Sequence, residues 1–456
     1  MKQILTDPLI ASLVAIAGAI YFIVAFHYIG QDSRYSKLLE KFGVGLFVFI
    51  IAGATGTTLS PFTKLHPRVL SNTAVTAPTI VAQLGFYAVG ILLLVSRLRY
   101  TLPNSAAKFP LVLQRDPFLL IFLLLVGLSV FWSDTPEVTF KTSMVYLFVS
   151  AVAFYTGKQY SWDKLFFLAR WTTLVLLLLS LFYSIFKPGT GRDNDGAWVG
   201  IIGHKNQFCF LMVFTALLWF INALYNKKQR NASIFVFLLS FLAVNQGGSG
   251  AARVMIVCLL AFWFYLGFAK KLPMQWAFVS VVLFMILGIC LTIIVTENLE
   301  FIVVDTLNKD LTLTGRTDFW PLIIDKINQR PILGYGIDGF WQPWRGPDNP
   351  AREILVAKTQ FSPPHSHNGF MDLACDLGYL GLGVFLASFI SNIAKAVIYL
   401  GQERMPEAGL PILILTYTLM TNMTETGLLG ATSIWFWYVV LAVRLSVDLS
   451  RKTSRV

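Results

Sequence analysis

An all-α fold is expected from this sequence: a polytopic transmembrane helical bundle of 12–13 spans with one large, partly helical loop. Three observations predict it. Hydrophobic residues are 56% of the 456 and charged residues 13%, about half the ~25% of ordinary globular chains. The mean hydropathy is +0.66. The apolar residues, with 38 Phe and 12 Trp among them, lie in continuous runs rather than in the alternation of an outer-membrane barrel. Secreted, disordered and cytosolic classes lack the polar surface to match.

A span needs about 20 apolar residues. Candidate runs centre on 8–30, 44–62, 79–97, 117–132, 143–158, 167–187, 206–225, 233–246, 254–269, 276–297, 377–400, 409–427 and 431–448. The run at 233–246 is the shortest and meets Gly247, Gly248, Ser249 and Gly250, so a broken or re-entrant end is expected there. The first run is too long for a signal h-region and lacks a small-residue cleavage site, so no cleavable signal is expected. Cys209, Cys258, Cys290 and Cys375 lie in apolar stretches without metal-ligand spacing and read as buried thiols.

The net charge of +12 would suggest nucleic acid as a partner in a soluble protein. Here the bilayer is the partner, and basic residues fix orientation. With the long segment 298–366 outside, the inner loops hold 20 Lys and Arg, against 8 in the outer terminus and short outer loops. The positive-inside rule selects that orientation. The long loop is too aromatic and aliphatic for a disordered linker. Thr317 can N-cap a helix running to Arg330, with Phe319, Trp320, Ile323, Ile324 and Ile327 on one face, as in an interfacial amphipathic helix. Pro331 ends it.

Soluble catalytic signatures are missing: no P-loop, no H-E-x-x-H, no G-x-S-x-G and no C-x-x-C. Polar residues instead gather at the outer ends of spans. His365-Ser366-His367-Asn368 precedes Gly378 and Gly381 at the start of a span. Two histidines two apart have no third ligand cluster, so no metal is expected, and a loop histidine here suits general-base work. The two glycines would let the span pack closely beneath it. Arg316, in Gly315-Arg316-Thr317-Asp318, sits at a helix N-terminus, where backbone N–H groups already favour an anion. Arg253 follows a Gly-rich turn into a span and either binds a ligand or snorkels. His204 and Lys205 begin another span, and Lys205 could hold phosphate. Glu425, near Asn422 at a span end, needs a partner, for which an Arg of this group is the natural choice. This set suits a diphosphate-linked lipid, with cations on the departing diphosphate and a histidine deprotonating an acceptor hydroxyl. Those cations would keep the histidine neutral. No cofactor is expected.

On these residues the sequence resembles the O-antigen ligase and polymerase superfamily, which includes exopolysaccharide repeat-unit polymerases. His367-Asn368, nine residues, then Gly378-x-x-Gly381 fits the family's H-[NSQ]-x9-G-x-x-G motif. Gly315–Trp320 with Pro331–Gly336 is similar to the family's large periplasmic loop. Trp132-Ser133 and Gly203-His204-Lys205-Asn206 resemble elements of the exopolysaccharide-polymerase branch. The likeness spans about 120–430, within an O-antigen ligase/polymerase-like domain at 111–456 that follows N-terminal transmembrane helices at 1–110.

The resemblance implies a metal-independent glycosyltransferase of the bacterial inner membrane, with its site facing the periplasm. It would move glycan from a polyprenyl-diphosphate-linked oligosaccharide to a glycan or lipid-linked acceptor. His367 would be the catalytic base; Arg316, Arg253, Lys205 and His204 would bind the donor; Asn368, Glu425, Asp318 and His365 would support. Arg253 departs from the pattern, lying four residues beyond Ser249 where the family's Arg follows a Ser closely. Other polysaccharide assembly proteins are candidate partners. Repeat-unit polymerase is the first reading, tilted by Gly203-His204-Lys205-Asn206. Ligation of finished chains to lipid A–core shares the motif set. A lipid-linked oligosaccharide transporter would instead want basic residues through the membrane depth and paired repeats, and an envelope scaffold would not need His367.

Overall fold

The computed structural model describes residues 34–53, 90–91, 116–307, 316–355, 362–403, 405–429 and 432–453. The expected spans at 8–30 and 79–97 fall outside these residues, apart from Gly90 and Ile91. Among the described residues the fold is helical, with one isolated β-bridge between Arg192 and Trp198. Six of the helices are long and apolar enough to cross a membrane.

The first helix among the described residues, α1 (Arg34–Gly53), begins in the basic stretch read as a loop. Next come α2 (Pro117–Leu128), extended by a 3-10 turn to Phe131, α3 (Pro136–Gln159) and α4 (Trp162–Phe186). Asp116 caps α2, accepting from the Leu119 N–H at 3.1 Å. A one-turn helix (Pro188–Gly191) leads to α5 (Lys205–Tyr225), which packs along α6 (Arg230–Gly247) as a hairpin. The run at 233–246 is one continuous helix, and the break expected at its end falls at Gly248. It stops because Gly248 adopts a left-handed conformation at φ 70°, as helix C-termini commonly do. After Ser249, α7 (Gly250–Ala269) returns across the bundle.

The following helix, α8 (Met274–Leu307), continues ten residues past the predicted span end at 297. The charged turn at Glu297 and Glu300 lowers hydropathy, but no Gly or Pro interrupts the backbone there. The loop segment contains α9 (Arg316–Gln329). The bundle then closes with α10 (Gly369–Gln402), α11 (Leu410–Thr424) and α12 (Ser433–Thr453). The four cysteines are free thiols.

Aromatic side chains fill the bundle interior. Trp435 lies 4.7 Å from Tyr146 and 5.5 Å from Phe122 between ring centroids, and such pairs contribute about 0.5–1.5 kcal/mol beyond their burial. Two of the buried cations are matched locally. Lys395 Nζ lies 3.3 Å from Asp116 Oδ2, which also accepts from Asn392 at 2.7 Å. Arg444, inside the last helix, pairs with Asp448 and donates to the Tyr160 carbonyl.

A second, smaller core belongs to the loop. Phe319, Ile323 and Ile327 of α9 pack with Tyr335, Phe340, Trp341 and the α10 residues Ala374 and Cys375. The apolar face of α9 is therefore turned into the protein rather than laid in the membrane interface, although Ile324 on its flank is 46% exposed. The helix also starts at Arg316, so Thr317 lies inside it rather than capping it.

Candidate active site

Gly378 explains how loop and span meet. It breaks α10 at φ 66°, ψ −173°, a conformation that L side chains rarely adopt. A Cβ there would overlap the Ile332 carbonyl. The break frees backbone groups, and the segment after α9 takes them up. Tyr379 N–H donates to the Pro331 carbonyl at 2.7 Å, while Tyr335 and Gly336 N–H donate to the carbonyls of Cys375 and Asp376 at 2.9 and 2.8 Å. The chain thus satisfies the groups a kink would otherwise leave bare. Gly378 serves the close approach expected of it, but against the loop rather than another span. Trp132 and Asp134 secure the same segment: the indole donates to the Leu333 carbonyl at 2.8 Å and the carboxylate pairs with Arg330 at 2.9 Å.

Just before α10 the chain makes a tight bend. The Asn368 side chain caps the helix, accepting from Phe370 and Met371 N–H at 3.0 and 3.3 Å. Ser366 Oγ donates to the Asn368 carbonyl at 2.6 Å and accepts from its N–H at 3.0 Å. Between them His367 is held at φ 55°. A left-handed histidine costs energy that its surroundings must offset, and such strain clusters at functional sites. Asn368 therefore supports His367 through the backbone rather than through its ring.

Glu425 follows the last residue of α11 and is 2% exposed. Its Oε1 lies 3.2 Å from His367 Nδ1 and accepts from Asn206 Nδ2 at 2.7 Å. Its Oε2 lies 3.8 Å from His365 Nε2. The partner of Glu425 is thus an imidazole pair and an amide, where an Arg was expected. Burial alone would raise this carboxyl, but the hydrogen bond and charge of His367, with His365 and His204 behind it, outweigh that and bring it down to about 2. A carboxylate facing Nδ1 can only accept, so in the neutral ring Nδ1 carries the proton and Nε2 keeps its lone pair. The charge in contact with His367 is anionic, not the cationic surround expected from the sequence. The His367 N–H donates to His365 Nδ1 at 3.1 Å, so a neutral His365 carries its proton on Nε2, toward Glu425.

The two histidines and Glu425 each offer one ligand atom, all within 4.8 Å of one another. Imidazole and carboxylate donors suit divalent transition ions. The third donor that the sequence did not supply locally thus comes from Glu425, 58 residues beyond His367.

The helices that carry the candidate donor-binding residues reach the same end of the bundle as this centre. His204 and Lys205 begin α5, next to Asn206; His204 is exposed, and Lys205 Nζ lies 3.9 Å from Asp195. Arg253 is exposed in the first turn of α7 and donates to the Asn245 carbonyl at 3.3 Å. Two residues on, Met255 Sδ accepts from Thr421 Oγ1 of α11 at 3.9 Å, so this turn lies near the level of Glu425. The backbone of Arg316 and Asp318 forms the first turn of α9; their side chains lie outside the described residues. Trp320 in the same turn donates to the Ser366 carbonyl at 2.9 Å, tying α9 to the histidine bend.

Asp372 is a residue the sequence reading passed over. Its Oδ1 accepts from Ser366 N–H at 3.0 Å and the Trp341 indole at 2.7 Å, and its Oδ2 accepts from Thr426, the neighbour of Glu425. One carboxylate thus fastens the histidine bend, the loop and the end of α11. Asp376, one turn on, accepts from the Asp338 N–H at 2.9 Å. The available signal was two carboxylates four apart in an apolar run, where each needs a partner.

Comparison with known proteins gives the same reading as these motifs. Residues 233–386 match the family model described as O-Antigen ligase. That segment contains Arg253, Arg316, His365, His367, Asn368, Gly378 and Gly381, and is narrower than the 120–430 read from the motifs. The chain is also 22% identical over 352 residues to the exopolysaccharide production protein ExoQ of Rhizobium meliloti (strain 1021), covering 72% of this chain and 74% of that protein. The chain is thus a multi-pass membrane protein in which residues 233–386 match the O-Antigen ligase family model and most of the length is distantly similar to an exopolysaccharide production protein.

Proposed function

We propose that this protein transfers glycan from a polyprenyl-diphosphate-linked donor to an acceptor hydroxyl on the outer face of the inner membrane, as an exopolysaccharide repeat-unit polymerase. The observation that carries it is the His367–Glu425 pair at 3.2 Å. It combines a reachable imidazole, 23% exposed in its side chain, with a carboxylate that is 3% exposed. This is the logic of an oriented base, recognised by geometry and role rather than sequence order. His367 Nε2 takes the acceptor proton as the hydroxyl oxygen attacks the anomeric carbon. The bond from that carbon to the diphosphate oxygen breaks, and the lipid diphosphate leaves against Arg253, Arg316, Lys205 and His204. Glu425 fixes the ring and offsets the imidazolium charge as it forms.

A metal is not required by this scheme. Glu425 Oε1 already accepts from two donors, and His365 Nδ1 is taken by a backbone N–H. The polymerase reading draws on the likeness to the exopolysaccharide production protein over most of the chain. Ligation of finished chains is the second reading, favoured by the description of the matching family model. The test is purified full-length protein with a synthetic polyprenyl-diphosphate oligosaccharide. Longer lipid-linked chains support the polymerase; transfer only to a lipid A–core acceptor makes it the ligase; no transfer to either overturns the proposal.

A further inference from the structure

The opposite end of the bundle holds a cavity of about 1650 Å³, bordered by α1, α4 and the turn between α5 and α6. It exceeds the ~300–1,000 Å³ of ordinary small-molecule sites. Its walls are apolar, with Phe42 and Phe49 from α1 and Phe167, Trp171 and Val175 from α4. Its charged lining is lopsided: Lys41, Lys164, Arg170, Lys227 and Lys228 stand against Asp163 and Glu407.

Arg170 decides what such a cavity would take. It is 5% exposed. Its guanidinium lies 5.0 and 5.2 Å from the ring centres of Phe166 and Trp219. Nη1 donates to Gln229 Oε1 at 3.3 Å, but that oxygen also accepts from Asn222 and Asn226. Nε makes no hydrogen bond among the described residues. No carboxylate among them pairs with this cation within 4.0 Å. A buried charge with no carboxylate in direct contact, and only the more distant Glu407 to offset it, is costly unless an anion joins it. Apolar walls below a cationic rim match an amphiphile, and a planar guanidinium matches phosphate oxygens.

We propose that this cavity binds a phosphate-bearing lipid from the membrane leaflet at this end. The headgroup sits on Arg170, Lys164 and Lys227, and the acyl chains lie along Phe42, Phe167 and Trp171. The site is separate from the histidine centre and does not depend on the glycan-transfer reading.

The experiment is native mass spectrometry of delipidated full-length protein in a neutral detergent. The probes are phosphatidylglycerol, diacylglycerol with the same chains, and inorganic phosphate. Wild type should bind phosphatidylglycerol at least about tenfold more tightly than diacylglycerol, and Arg170→Gln should lose about tenfold, as for one charge-assisted contact. Because Arg170 is buried, the exposed rim is tested independently: Lys164→Gln combined with Lys227→Gln should also weaken phosphatidylglycerol and leave diacylglycerol unchanged. Equal binding of the two lipids, or unchanged affinity in both variants, would overturn the proposal. Displacement of the lipid by millimolar phosphate would also overturn it, leaving a bare anion site. A photo-crosslinker placed at Val175 reads the occupant directly. A lipid adduct supports the proposal, whereas an adduct with residues 1–33 would make the occupant this chain's own segment and refute it.

Discussion

Replacing Glu425 by Gln changes the charge beside His367 while keeping the shape. The Gln carbonyl can take the place of Oε1 and still accept from His367 Nδ1 and Asn206 Nδ2, which lie 3.2 and 2.7 Å away. What disappears is the negative charge that would stabilise the imidazolium as it forms. A hydrogen bond to a charged group contributes about 1.5–3 kcal/mol. At about 1.36 kcal/mol per decade this is a roughly 10- to 150-fold loss of turnover. Because the acceptor site is untouched, the loss falls on kcat and leaves KM near wild type. His367→Ala removes the base itself and should cost roughly 10²- to 10⁴-fold. The double variant should be no slower than His367→Ala, because Glu425 acts only through that ring. Turnover of a synthetic lipid-diphosphate oligosaccharide by the four proteins at matched reconstitution decides it. Wild-type turnover in Glu425→Gln, or two losses that multiply in the double variant, would exclude this role for the carboxylate.

Arg316→Lys should lose roughly 10- to 150-fold in transfer, since a point ammonium cannot replace a bidentate fork on diphosphate, and Arg253→Ala should behave alike; normal product from either in a correctly inserted protein returns that residue to a solvated role. The Glu425 carboxyl titrates at about 2 rather than the ordinary 4.5, so the folded protein binds this proton more weakly than the unfolded chain. Its stabilisation is therefore complete above about pH 4.5 and lost as pH falls toward 2, and the Tm gap between wild type and Glu425→Gln should close over that window; a gap independent of pH contradicts the assignment. A chelator should leave turnover unchanged, whereas a loss restored by zinc would make His365, His367 and Glu425 a metal centre. With native thiols removed, Asp348→Cys should react with an impermeant thiol reagent in cells whose outer membrane is permeabilised, and Lys271→Cys should not; the reverse pattern would invert the orientation.

The helical class and the end of the bundle where polar residues gather were legible because both are written in local composition. Continuous apolar runs predict helices wherever water is absent, since the backbone must satisfy itself. The spacing of His367-Asn368 to Gly378 and Gly381 is likewise local, because a cap and a kink are set by neighbouring residues. Helix ends were less legible. The extension of α8 to Leu307 crosses a charged turn that hydropathy reads as a boundary, and α10 begins at Gly369, where Asn368 caps it, rather than at 377.

What the tertiary structure alone decided is which groups touch. Sequence can say that Glu425 at a span end needs a partner, but not that imidazoles of a bend 58 residues earlier supply it together with Asn206 of α5. Nor does it reveal that Asp372 fastens bend, loop and α11 at once. Those pairings follow from how the helices pack, and packing depends on the shapes of many side chains together rather than on any run of neighbours. Composition and short-range spacing thus determined the membrane bundle and the end of it that carries the polar cluster. The partner of His367, and with it which ring nitrogen faces Glu425, is set by three segments distant in sequence that meet only when the bundle closes.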